Sequence, residues 1–216
     1  MRAHPWWPFV NLTVTTPLIR LIYPTDEQIV QIADLAAAGI HDPAVMPFGI
    51  PFTDLPTNGT QQRSTMQHLW RKRAEFSPDN WQLTMAVELD GHIVGMQDAL
   101  AKDYGKLRCF ETGSWLGKDF QGIGIGKEMR TAVLHLMFDG LDALEAHTRA
   151  WAWNNASNGV TKALGYEPNG QDTKLVRNEP TLSYSYRLAR QQWLARRRDD
   201  ITIEGLAPCR VLMGVI

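Results

Sequence analysis

The stretch FQGIGIGKEM, residues 120–129, limits what this chain can fold into more than any other. Gly122, Gly124 and Gly126 stand at alternate positions. Ile125, Met129, Ala132, Val133 and Leu136 then fall on one face of a 3.6-residue period, ended by Asp139-Gly140. The segment before the glycines, KLRCFETGSWLG, reads as a strand. A strand, a glycine loop and an amphipathic helix must therefore follow one another here.

The periods on either side supply the rest. LIRLIY, residues 18–23, reads as a strand. TDEQIVQIADLAAAG follows as a helix, with Thr25 and Gln28 as a capping box, Ile29, Ile32, Leu35 and Ala36 inward, and Gly39 as its end. Residues 40–60 hold four prolines and no period, a long loop of the kind that often serves function. A second helix is expected from Gln61 to Phe76, with Met66, Leu69 and Trp70 inward. WQLTMAVEL, Asp90-Gly91 and HIVGMQDAL read as a β-hairpin. Beyond the glycines, residues 143–153 alternate as a strand, and a short helix over about 155–164 ends at Gly165. Two further strands and a basic helix, RLARQQWLARRR, complete the pattern, and residues 201–216 have no readable structure.

These elements fit one α/β (α+β) domain over 1–216, with a core of about 12–190 and an extension over 191–216. Composition narrows the class. The net charge of −1 offers no field toward nucleic acid or a membrane surface. No run nears the roughly 18 apolar residues of a membrane helix, and the start lacks a signal-peptide core. Cys109 and Cys209 are too few for a disulfide framework and fit a reducing compartment. A soluble cytoplasmic protein is the expectation. The six histidines show no metal-ligand spacing, so no metal is expected. Trp6 and Trp7 read as cover for a core edge or as a subunit contact, which leaves a homo-oligomer open.

Glycines before a helix suggest close approach to a phosphate, because N-terminal amides and the helix dipole favour an anion. A mononucleotide P-loop fails: Gln121 stands where its first glycine belongs and Glu128 where its hydroxyl belongs. A dinucleotide fingerprint fails too, because Lys127 or Met129 occupies its last position. The remaining pattern is Q-x-x-G-x-G, at Gln121, Gly124 and Gly126. Here the sequence resembles the GNAT superfamily of N-acetyltransferases, whose pyrophosphate loop is R/Q-x-x-G-x-G/A. Glu111–Gly117, ETGSWLG, and Asn154–Tyr166, NNASNGVTKALGY, resemble the strand and the N-x-x-S element of its RimJ/RimL-like branch. The resemblance covers about 80–180 well and the first helices more loosely.

The resemblance implies a mostly antiparallel mixed sheet, flanked by helices and splayed around an acyl-CoA site. It implies acetyl-CoA or another acyl-CoA as co-substrate, held by the backbone amides of Gln121, Gly122, Ile123, Gly124, Ile125, Gly126 and Lys127. Pantetheine would pair with Trp115, Leu116 and Gly117, and Asn154 would contact it. Ser157 would lie near the sulfur and protonate the thiolate, although Asn and Ser are also favoured helix caps. Glu111, a carboxylate on an apolar strand, is the first candidate base, with partial burial expected to raise its pKa; Glu179 is the second. Lys127 and Arg130 either reach coenzyme phosphates or face solvent. Tyr166 and His147 read as structural.

Phe48, Pro51 and Phe52 either wall the acceptor site or simply pack. Arg190, Arg196, Arg197 and Arg198 read as a solvated helix face. The expected reaction moves an acetyl group to a primary amine of a protein N-terminus, a lysine or a small molecule. Succinyl-CoA is a further donor to consider, since Arg149 or a C-terminal arginine could meet its carboxylate. The rival is a non-catalytic acyl-CoA sensor or scaffold, which would need neither Glu111 nor Ser157.

Overall fold

The computed structural model describes residues 4–215. Two short strands open it, β1 (Thr13–Thr15) and β2 (Arg20–Ile22). Helix α1 (Asp26–Ala38) starts at the expected capping box, where the Thr25 hydroxyl accepts from Gln28 N–H and the Gln28 side chain accepts from Thr25 N–H. Helix α2 (Thr60–Ala74) follows the long loop. Its buried stripe is Gln61, Thr65 and Leu69, spaced four apart. Trp70 sits about 100° round from Leu69 and is 42% exposed, not inward as expected, with its indole N–H on Asp26.

The hairpin β3 (Asn80–Leu89) and β4 (His92–Lys102) turns at Asp90-Gly91, both at positive φ. A one-turn helix, α3 (Tyr104–Leu107), occupies the start of the expected third strand, so β5 is only Cys109–Leu116. After the glycine loop come α4 (Ile125–His135), extended by a wider turn to Gly140, then β6 (Glu145–Trp151) and α5 (Asn155–Ala163). The hairpin β7 (Glu167–Val176) and β8 (Glu179–Ala189) leads to α6 (Arg190–Leu194) and β9 (Thr202–Glu204). The expected basic helix is thus cut to the five residues of α6: β8 consumes its first three residues, and the last four lie beyond the helix.

All nine strands form one sheet, ordered β7-β8-β6-β5-β4-β3-β2-β1-β9. Every pairing is antiparallel except β5 with β6. The main apolar core lies between the sheet and α4, around Leu83, Met85, Met129, Val133 and Phe138. A second cluster joins α1 and α2 to the other face through Ile29, Ile32, Leu69, Met96 and Trp115. The segment after residue 200 belongs to the main core: β9 pairs with β1, and Cys209, Met213 and Val215 are buried in it.

Candidate active site

The one parallel pairing is short and creates the site. Only Cys109, Phe110 and Glu111 of β5 pair with β6, opposite Glu145, Ala146 and His147. Beyond them β5 stays with β4 up to Leu116, while β6 stays with β8 up to Trp151. From Thr112 to Leu116, β5 therefore has an edge that no strand covers, and the sheet parts into a V.

The glycine loop lies at the open end of that V. Gly122 and Gly124 have φ of +77° and +96°, a region costly for side chains but open to glycine. A Cβ at either would meet nothing within 4 Å, so the loop is a bare backbone surface. Two of its seven candidate amides are used internally: Gln121 N–H donates to Lys118, and Lys127 N–H to Gly124. Those of Gly122, Ile123, Gly124, Ile125 and Gly126 have no acceptor among the described residues. The Gln121 side chain faces away, donating to the carbonyls of Ile40 and Leu116, and so fixes the loop to the ends of α1 and β5. Gly117 is required for packing: a Cβ there would lie 2.7 Å from Leu35. Trp115 and Leu116 are buried on opposite faces of β5, and Lys127 is exposed.

Helix α5 borders the V on the α4 side, where Val160 lies 3.8 Å from the Cβ position of Gly126. Asn154 is its N-cap, with Oδ1 accepting from Ser157 N–H at 3.1 Å. Ser157 itself is not a cap. It is half-buried one turn before Val160, and its hydroxyl has no partner among the described residues. Asn158, which sequence reasoning missed, is buried and donates to the carbonyls of Trp151 and Asn154 while accepting from Tyr186. It locks α5 onto the sheet.

On the opposite face, a cavity of about 500 Å³ lies against the closed end of the V. Glu111, His147 and Arg149 line it, with Lys72, Glu75 and Lys102 at its charged wall. Glu111 is half-buried there and sits level with His147 across the last strand pair. Glu179 does not join it: it is exposed and lies beyond the last β6–β8 pair, Trp151 with Ser183. Phe48, Pro51 and Phe52 do not line this cavity either. Phe48 packs on Met46, Trp151 and Val176, so the loop covers the open end of the V. Arg177 of the β7–β8 turn holds that loop through Asp54 and the Pro43 carbonyl.

Two buried charges were not foreseen. Asp98 on β4 pairs with Gly113 on β5 and accepts a 2.6 Å hydrogen bond from Thr84. Burial pushes its carboxyl up to about 6, against the opposing pull of Thr84 and Gln82. The signal was present in HIVGMQDAL, where alternation puts Asp98 on the face of buried Met96. Arg130 on α4 is the other; it neither faces solvent nor approaches the glycine loop's amides, but is buried at the V. The C-terminal arginines also differ from a free solvated face. Arg190 donates to the Phe138 and Ala143 carbonyls, Arg197 pairs with Asp139, and Arg198 pairs with Glu128 on the first turn of α4.

Histidine spacing did not anticipate one cluster at the cavity mouth. Cys109, Glu145 and His147 bring potential ligand atoms within 4.8 Å of one another. Glu145 is already shared between His147 and Arg187, each at 3.3 Å. No helix among the described residues is long and apolar enough to cross a membrane.

Known proteins share this architecture. A family model described as an acetyltransferase (GNAT) domain matches residues 19–167. A RimL ribosomal L7/L12 alpha-N-protein acetyltransferase in complex with coenzyme A superposes with a TM-score of 0.67 at 14% identity, covering 81% of this chain and 95% of that one. Mycobacterium smegmatis RimJ in complex with CoA-disulfide gives 0.67 at 18% identity, covering 90% and 97%. The microcin C7 self-immunity acetyltransferase MccE, in complex with acetyl-CoA and AMP, gives 0.62 at 16%, covering 80% and 93%. With that family model matching most of its length, the chain belongs to the GNAT family of acetyltransferases.

Proposed function

We propose that this protein transfers an acyl group, acetyl in the first instance, from acyl-CoA to a primary amine by direct attack on the thioester. The observation that supports this best is the row of five uncommitted amides from Gly122 to Gly126, beside a strand edge left open from Thr112 to Leu116. Amides at a helix start suit a pyrophosphate. An open strand edge suits the amide-bearing pantetheine arm, which would run along Trp115, Leu116 and Gly117. A β5 backbone N–H would then meet the developing oxyanion.

The amine approaches from the opposite face, through the cavity at Glu111. A lysine-type amine is protonated below about pH 10.4 and must lose a proton to attack. Glu111 takes it, directly or through a water. The C–N bond forms as the carbonyl π pair moves to oxygen, and collapse breaks the C–S bond. Ser157 gives its proton to the leaving thiolate and is restored by the second proton leaving the nitrogen, relayed through water. Ser157 suits this role because Asn154 already does the capping.

The cavity wall carries both signs of charge, which suits a polar, amine-bearing acceptor such as a protein N-terminus, a lysine or a small amine. RimL, by its name an alpha-N-protein acetyltransferase, favours the protein N-terminus among these acceptors. Two free cysteines agree with work in a reducing compartment such as the cytoplasm.

The test is thermal melting with coenzyme A, acetyl-CoA and succinyl-CoA, followed by mass spectrometry of amine-bearing peptides and small amines. Ligand binding to the folded state must raise the melting temperature. Melting unchanged by all three coenzymes would defeat the proposal. Binding without turnover on any amine would favour the sensor reading.

A further inference from the structure

Arg130 occupies a position where the helical pattern has no place for a charge. It lies between Met129 and Thr131 on a turn of α4 that is buried all round, and is itself only 5% exposed. Its guanidinium spans the gap where the sheet parts: Nη1 donates to Thr148 Oγ1 on β6 at 3.2 Å, and Nη2 to Ser114 Oγ on β5 at 3.2 Å. Both acceptors are neutral hydroxyls. No ion pair among the described residues includes Arg130, and its Nε has no hydrogen-bond partner.

The same spot holds two more unpartnered groups. Thr112 Oγ1 and Tyr166 Oη are buried without a hydrogen bond. The three groups face one another: Arg130 and Thr112 act on Tyr166 as hydrogen-bonding neighbours and oppose the rise that burial gives its pKa, yet none of these contacts has full hydrogen-bond geometry. A buried unpaired cation is strongly disfavoured, and an apolar side chain would fill the place more stably. One guanidinium N–H and two hydroxyls that meet only one another, and without well-formed hydrogen bonds, are complementary to an anion. They lie on the α4 side of the V, the side of the glycine loop and Ser157.

We propose that Arg130, Thr112 and Tyr166 form an anion site for the acyl end of the bound coenzyme. This rests on the acyl-CoA reading above. The shared chemistry is one negative charge at that end, with two sources. One is the charge of the reaction itself, at the thioester sulfur as the C–S pair leaves with it. The other is a carboxylate borne by the acyl chain. Arg130 supplies electrostatic stabilisation in either case, and no bond to it forms or breaks.

Titration calorimetry on the full chain tests this with four probes. S-methyl-CoA and CoA-sulfonate differ in charge at the sulfur; butyryl-CoA and succinyl-CoA differ in charge at the end of the acyl chain. The wild type is expected to prefer the charged member of at least one pair by tenfold or more. Arg130→Met should abolish that preference, Arg130→Lys should retain part of it, and the neutral probes should bind all three alike. The pair that responds names the source of the charge. Without coenzyme, Arg130→Met should melt at or above the wild-type temperature, which a structural arginine would not allow.

Thr112→Val and Tyr166→Phe should each weaken the preference several-fold, and they keep the test open if Arg130→Met does not fold. Equal preference in wild type and variants, or a lowered melting point with unchanged preference, overturns the proposal. Wild type binding none of the four probes would instead bring down the acyl-CoA reading itself.

Discussion

Glu111 and His147 stand opposite one another in the last parallel pair before β5 and β6 separate. The carboxylate thus sits at the closed end of the V, on the cavity face, one residue short of the open edge at Thr112. An amine reaching the thioester through that cavity passes it.

Glu111→Gln tests that placement, because it keeps shape and removes basicity. General bases contribute roughly 10²–10⁴ in rate. The variant should lose about a hundredfold in kcat while coenzyme affinity, read by calorimetry, stays at the wild-type value. An undiminished kcat would remove Glu111 from the mechanism and leave Asp98 as the nearest buried carboxylate to examine.

The glycine loop can be separated from backbone strain by an internal control. Gly124 and Gly59 are both N-caps with nearly the same φ, +96° and +94°, and a Cβ at either meets nothing. Valine at each position should cost similar stability, of the order of 1–2 kcal/mol. Only Gly124→Val should obstruct the amides, weakening coenzyme A binding at least a hundredfold. Equal affinity in the two variants would mean that the loop is a turn and nothing more.

Asp98 gives a pH signature. Its carboxyl, at about 6 when folded against 3.8 unfolded, stabilises the fold only while protonated. That contribution is complete below pH 3.8 and is lost as pH rises through 6. An asparagine in its place would keep the acceptor for Thr84 and never ionise. Asp98→Asn should therefore match the wild type near pH 4 and exceed it at pH 8 by up to about 3 kcal/mol. Urea melts at the two pH values read the difference. A constant offset would show that Asp98 does not titrate in this range.

Sequence legibility followed the range of the interactions. The Thr25 capping box, the Asp90-Gly91 turn and the glycine loop are local, and each stands where its residues direct. The V was legible only through resemblance, because it depends on how few residues β5 and β6 share. Arg130 was misread because periodicity assumes that a charge on a helix faces out; its partners, Ser114 and Thr148, are 16 and 18 residues away. Trp70 was misread in the opposite sense, since a large apolar residue flanking the true stripe looks like part of it. Pairing of β1 with β9 joins three-residue strands from the two ends of the chain, and such short segments have no periodicity to read.

That terminal segment is where stability and coenzyme binding can be told apart. Trp81 Nε1 donates to the Met213 carbonyl at 3.3 Å, and Gly105 abuts Gly214 so closely that a Cβ there would collide with its carbonyl oxygen. Met213 is fully buried in the main core, behind Trp81, which lines the cavity at Glu111. Cavity creation at such a site costs about 2–5 kcal/mol. Met213→Ala should therefore lower the free energy of unfolding by that amount, read as a lower urea midpoint with an unchanged slope, while coenzyme affinity under native conditions remains wild-type. A loss below about 0.5 kcal/mol would mean that the segment after residue 200 only rests on the core. A matching loss of coenzyme affinity would mean that it shapes the V from a distance.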